Sequence, residues 1–178
     1  MNSLRPSHRA LAVLALATAL SISAAAATPE EKLRELGATL PPTSAPVANY
    51  VPAVRTGNLV FLAGHISRGA DGKVIAGKAG KEFTTEQANA AARDTALALL
   101  ATLKKEIGEL AKVKRIVRVG GFVNCTPDFT AQPTVMNGCS DLLVAVFGEK
   151  GKHARAALGM VSLPLGAVVE IEMVVEIE

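Results

Sequence analysis

The sequence predicts an α+β domain, one sheet with both of its main helices on the same face, and three observations carry that prediction. In residues 84–108 apolar side chains recur at three- and four-residue intervals, the spacing of a helix with one buried face, and a second helix reads over about 133–147 before Gly148. At the C-terminus the spacing changes to two: Ile171, Met173, Val175 and Ile177 interleave with Glu170, Glu172, Glu176 and Glu178, as in a strand with one buried face. The order along the chain is strands, helix, strand, helix, strands, which layers helices on a sheet.

Each element follows in turn. Arg5 and Arg9 precede an apolar stretch at residues 10–23, and Ala25-Ala26-Ala27 supplies small residues for cleavage, so residues 1–27 read as a secretory signal peptide. Residues 28–178 then form a single domain, secreted or periplasmic once the leader is removed. No later apolar run reaches the roughly 20 residues a bilayer span needs, so the mature form is expected to have no membrane segment. Thr28-Pro29-Glu30-Glu31 is a capping box with proline at the first helical position, and Gly37 is a natural stop. A proline-rich connector covers residues 40–46. Residues 49–54 and 59–64 read as strands about a Gly57-Asn58 turn, and Asp71-Gly72 turns the chain before Val74 and Ile75, completing a small meander.

The long helix starts at Thr84 with Gln87 three residues on, and buries Ala88, Ala92, Ala96, Leu99, Leu100, Leu103 and Ile107 before Gly108 ends it. A strand over residues 113–123 places Val117 and Val119 about Arg118, and Pro127-Asp128 turns out of it. The second helix runs over about 133–147, with Gly148 as its stop. Strands at 154–161 and 167–177 flank Leu163-Pro164.

Composition narrows the function. The 178 residues are 49% hydrophobic and 20% charged, which suits one folded domain. The formal charge of +3 includes two leader arginines, and without residues 1–27 there are 17 basic side chains against 16 acidic ones. A near-neutral domain with only six aromatic residues offers little to a phosphate backbone, so nucleic acid is not expected as a partner. Cys125 and Cys139 permit a disulfide in an oxidising compartment, and equally suit two buried free thiols. With His65 and His153 they match no zinc spacing, so no metal is expected.

One arginine and a row of glutamates stand out for chemistry. Arg155 opens a strand after a glycine-containing loop, and its planar fork can grip a carboxylate in two places. On the acidic face of the last strand one of the glutamates could sit in a cleft, where desolvation would raise its pKa towards acid–base use, and the strand does not say which. An exposed edge arginine and a solvated outer face are the plain alternatives. His65, at a strand end after Gly64, reads as structural. No Ser-His-Asp or Cys-His set stands at recognisable spacing, and no phosphate-binding glycine loop is present.

Taken together, several segments resemble the Rid family, the YjgF-like imine deaminases. They are Asn49-Tyr50-Val51-Pro52-Ala53-Val54, Gly57-Asn58-Leu59-Val60-Phe61-Leu62-Ala63-Gly64, Gly121-Phe122-Val123-Asn124, His153-Ala154-Arg155-Ala156-Ala157, Leu163-Pro164 and Val169-Glu170-Ile171-Glu172. The resemblance covers about residue 45 to the end. It implies a chorismate-mutase-like sheet with two helices packed on one face, assembled as a homotrimer with clefts between subunits. It also implies cofactor-free hydrolysis of 2-imino or enamine acids to 2-keto acids and ammonia. By motif, Arg155 would bind the substrate carboxylate and Glu170 would position the attacking water. Tyr50, Gly64 and Asn137 would contact the substrate.

The chain departs from common members at His65, His153, Ala157 and Val161, where glutamine, proline or alanine, cysteine and a small residue are usual, which places it in a longer branch of the family. Those departures leave open a non-catalytic trimer that binds a small carboxylate. Ribonuclease activity, attached to some members, is a third reading that the balanced charge disfavours.

Overall fold

The computed structural model of the protein describes residues 27–43 and 48–178. Residues 1–26 of the expected leader and residues 44–46 of the proline-rich connector therefore lie outside the described residues.

Helix α1 (Pro29–Glu35) begins as the capping box requires: Thr28 Oγ1 accepts from the Glu31 amide, and the Glu31 carboxylate accepts from that of Thr28. Strands β1 (Ala53–Thr56) and β2 (Leu59–Ile66) form a hairpin whose turn needs a left-handed residue, supplied by Gly57 at φ 57°. The first strand is shorter than expected and starts later. Tyr50 spends its amide on the Ala48 carbonyl in a local turn, and Pro52 has no N–H to give, so pairing begins at Ala53 opposite Leu62. The expected third strand of the meander reduces to single bridges, Arg68 to Val74 and Ala76 to Ala167.

Helix α2 (Thr85–Ile107) carries the second capping box, Thr84 with Gln87, and Gly108 takes the positive φ of 87° at its end. Strand β3 (Val113–Asn124) follows, then α3 (Gln132–Phe147), β4 (Ala154–Met160) and β5 (Val169–Ile177). The sheet order is β1-β2-β5-β3-β4. Only β3 and β4 are parallel, because α3 crosses between them; the remaining pairs are antiparallel.

Both long helices lie on one face of this sheet, α2 against β2 and β5 and α3 against β3 and β4, and they pack on each other. All seven apolar positions expected to face inward from α2 are buried. They meet Val119, Ile171, Met173 and Val175, and each large side chain so buried contributes roughly 1.5–3 kcal/mol. In β5, buried residues alternate strictly with half-buried ones, so Glu170, Glu172 and Glu176 lie on the face away from the helices. That parity decides which functional side chains can meet.

Candidate functional site

Arg155 sits on β4, an edge strand, in register with Val119 of β3, which is itself paired with Met173 of β5. Val119 and Met173 are buried beneath the helices, so Arg155 projects to the helix face, where it reaches α3. Nη1 donates to Asn137 Oδ1 at 3.0 Å and to Ser140 Oγ at 3.0 Å, and Nη2 to the Pro133 carbonyl at 3.3 Å. Helical spacing explains the grip, since Asn137 and Ser140 are three residues apart and share one face of α3. All three acceptors are neutral. Among the described residues no carboxylate pairs with this guanidinium, so its charge is oriented and uncompensated. It borders an open depression of about 260 Å³ shared with Ser140, Val144, Lys152 and His153.

His153 is fixed at both nitrogens. Nδ1 lies 2.6 Å from the Gly151 carbonyl and Nε2 lies 3.0 Å from Ser140 Oγ. A carbonyl can only accept, which assigns the proton to Nδ1 and leaves Nε2 to accept from the serine hydroxyl. Burial pushes the imidazole below its ordinary pKa and the Arg155 charge adds to this, against the opposing hydrogen bond to Gly151.

Glu170 occupies the other face. Its register partners are Ile66 and Phe122, and it packs on Gly64, where β2 bulges between Leu62 and His65. A Cβ on Gly64 would collide with the Glu170 carboxylate, so glycine is what lets the acid lie flat there. Burial raises the Glu170 pKa, and the Glu172 carboxylate raises it further. Glu172 is itself paired with Arg118 at 2.7 Å.

Two of the five expected site residues thus meet on each face, Arg155 with Asn137 and Glu170 with Gly64. The pairs are separated by the sheet. Tyr50 meets neither: it is 52% exposed in the turn before β1, and β1 is the edge opposite β4. Within one chain strand parity sends Arg155 and Glu170 to opposite sides of the sheet, so the expected cleft between subunits is where the two would have to meet. Sequence reasoning passed over Ser140, although its three-residue spacing from Asn137 was a signal that it shares the same helix face.

His65 is structural, as expected: Nδ1 faces the Ala63 carbonyl at 2.9 Å and Nε2 faces Thr102 Oγ1 at 2.8 Å, tying the β2 bulge to α2. Both cysteines are free and buried, and burial drives the Cys139 thiol up to about 12 against the pull of Arg155, so it is not a nucleophile at neutral pH. Among the described residues no three His, Cys, Asp or Glu side chains converge as a metal site, and no helix is long and apolar enough to cross a membrane.

Known proteins resemble this chain over most of its length. A family profile described as "YjgF/chorismate_mutase-like, putative endoribonuclease" matches residues 30–177. Protein TCP17 of Trypanosoma cruzi is 41% identical over 146 residues, 82% of this chain and 91% of that one. A 2-iminobutanoate/2-iminopropanoate deaminase of Dermatophagoides farinae is 30% identical over 134 residues, 75% of this chain and 89% of that one. The crystal structure of Atu1372 from Agrobacterium tumefaciens, a protein of unknown function, superposes with a TM-score of 0.78 at 42% identity, covering 85% of this chain and 94% of the other. With a mixed five-stranded sheet bearing its long helices on one face, and a profile match across nearly all the described residues, the chain belongs to the YjgF/chorismate mutase-like family.

Proposed function

We propose that the protein hydrolyses 2-imino or enamine acids to 2-keto acids and ammonia, with Arg155 as the anchor for the substrate carboxylate. The observation that carries this reading is the state of Arg155. Three neutral oxygens fix its fork, and no acid among the described residues neutralises it. A guanidinium held this way loses little further freedom on binding an anion, and charge-assisted hydrogen bonds contribute about 1.5–3 kcal/mol each. The imine deaminase among its relatives supports the reaction class. Spontaneous hydrolysis of such imines leaves a low barrier to remove, so a held carboxylate and a positioned water are sufficient help.

Assembly belongs to the same reading. Family members are generally small homotrimers. On a single chain the open sheet face leaves Val54 54%, Phe61 44% and Leu158 50% exposed, more apolar surface than a solvated sheet face usually shows. In a trimer, Glu170 of one copy would approach Arg155 of the next, with Gly64 beside the first and Asn137 beside the second. Tyr50 would line the same cleft. The amino-terminal leader makes the proposed trimer an exported one.

The test uses imines generated in place by an amino-acid oxidase. The protein should speed their loss, and Arg155→Ala should abolish the effect; equal rates with and without protein sink the proposal. The separation of Arg155 from Glu170 within the chain favours one second reading, a trimer that binds a small carboxylate without turnover. Calorimetry showing Arg155-dependent binding of a keto acid, in a protein that leaves imine decay unchanged, selects it. The family description carries a ribonuclease name. The balanced charge of residues 28–178 argues against that activity here.

A further inference from the structure

The anchor uses the Ser140 hydroxyl only as one of the three oxygens that fix its fork, and it leaves the imidazole beyond that hydroxyl without a task. On the imine-hydrolysing reading just given, we infer that Ser140 and His153 form a proton relay serving the molecule whose carboxylate Arg155 holds. Ser140 Oγ lies between the two, 3.0 Å from Arg155 Nη1 and 3.0 Å from His153 Nε2. The guanidinium can only donate, so the serine oxygen accepts from it and turns its own proton towards the imidazole. The Gly151 carbonyl, 2.6 Å from Nδ1, locks the ring so that Nε2 is the free acceptor. Ser140, His153 and Arg155 border one depression that is open to solvent, so a molecule on the guanidinium lies within reach of the hydroxyl.

The step balances. Water adds to the carbon of the protonated imine: the C–O bond forms and the π pair of C=N moves onto nitrogen. A water proton passes to Ser140 Oγ while the serine proton passes to His153 Nε2. The proton then returns along the same path to the amine nitrogen. The C–N bond breaks, its electron pair leaves with ammonia, and the carbonyl forms as the hydroxyl proton goes to solvent. One iminium and one water become one ketone, one ammonia and one proton. Glu170 of a neighbouring copy keeps the separate task of holding the water.

The relay works only with the imidazole neutral. The charged groups facing His153 across the depression are Arg155 of β4 and Lys152 just before it, while α3 presents the uncharged Ser140 and Val144. Burial and the Arg155 charge hold the imidazole below its ordinary value of 6.5, against the hydrogen bond to Gly151, so it accepts protons throughout the neutral range.

The experiment follows oxidase-generated imines from pH 5 to 8 with wild type, His153→Gln and Ser140→Ala. Each variant should lower kcat about 10²-fold, the low end of an acid–base contribution; KM should be little changed in His153→Gln and raised in Ser140→Ala, which also removes an oxygen that fixes Arg155. Wild-type activity should fall as the imidazole is protonated on the acid side, and that fall should be absent from His153→Gln. Variants with wild-type kcat and an unchanged pH profile, alongside an inactive Arg155→Ala, overturn the relay and leave the anchor standing. The imidazole is read independently by ¹⁵N-resolved titration with 2-oxobutyrate, whose carboxylate on Arg155 should raise the His153 pKa. An imidazole that ignores the keto acid overturns the relay whatever the turnover. A wild type that hydrolyses no imine while its imidazole responds to the acid sinks the reaction and keeps the Ser140–His153 pair as part of a carboxylate site.

Discussion

At the scale of single residues, Glu170 shows most plainly how position sets chemistry. It belongs to a row of acids that alternation alone would leave in water, yet the absent side chain at Gly64 lets it lie against β2, half-buried and beside Glu172. Burial is the larger cause of its raised pKa and the Glu172 charge the second. A carboxyl whose folded pKa lies above its unfolded value binds its proton more tightly when folded. Stability from this group is therefore fully present below the ordinary value of 4.5 and is lost as pH rises through the higher folded value. Glu170→Gln, which keeps the shape and removes the ionisation, should thus be more stable than wild type at neutral pH. Its advantage should shrink as pH falls and vanish below 4.5. Denaturant midpoints at a series of pH values measure this, and a variant less stable than wild type at pH 7.5 contradicts it. The same substitution should cost activity on the proposed reading, so one carboxylate trades stability for function.

Among elements, the α2–α3 crossing depends on one missing side chain. Gly138 of α3 lies so close to the Asn89 carbonyl of α2 that an added Cβ would collide with it, and the obstacle is backbone, which cannot swing aside. Gly138→Ala should destabilise the protein by about 1–3 kcal/mol, lowering Tm by several degrees for a chain of this size. A thermal melt matching wild type would show that the helices part at no cost. Such a contact illustrates what the sequence could and could not disclose. Helix α2 was legible because seven apolar residues keep helical spacing between a capping box and a glycine, and β5 because its alternation is unbroken. Strand β1 was misplaced by four residues at its start, since the turn that consumes the Tyr50 amide is a matter of local hydrogen bonding. Arg155 was legible as a residue type in a familiar motif. Its partners were not: Ser140 and Asn137 reach it only because α3 crosses from β3 to β4. The opposition of Arg155 to Glu170 was hidden for a related reason, because the parity of an edge strand is fixed by its register with β3, and no spacing within residues 153–170 encodes that register.

For the whole molecule the issue is how two half-sites on opposite faces of one sheet could serve one reaction. Within a chain they cannot meet, so joint action requires the helix-side edge of one copy to face the open sheet side of another. In the closed trimer proposed above every contact would be of this head-to-tail kind, and each cleft would take its arginine from one subunit and its glutamate from the next. That arrangement has a consequence no single-chain site shares. Homotrimers of Arg155→Ala and of Glu170→Gln should each be inactive, because every cleft lacks one member. If the two are unfolded together and refolded in equal amounts, a cleft is complete whenever an intact arginine happens to adjoin an intact glutamate. Random assortment around the ring makes that roughly a quarter of all clefts, so the mixture should regain roughly a quarter of the wild-type rate. Sedimentation of the same samples should give a trimer in each case, which separates loss of the site from loss of the assembly. Were both residues to act within one chain, no mixture could contain a complete site, and refolding would restore nothing.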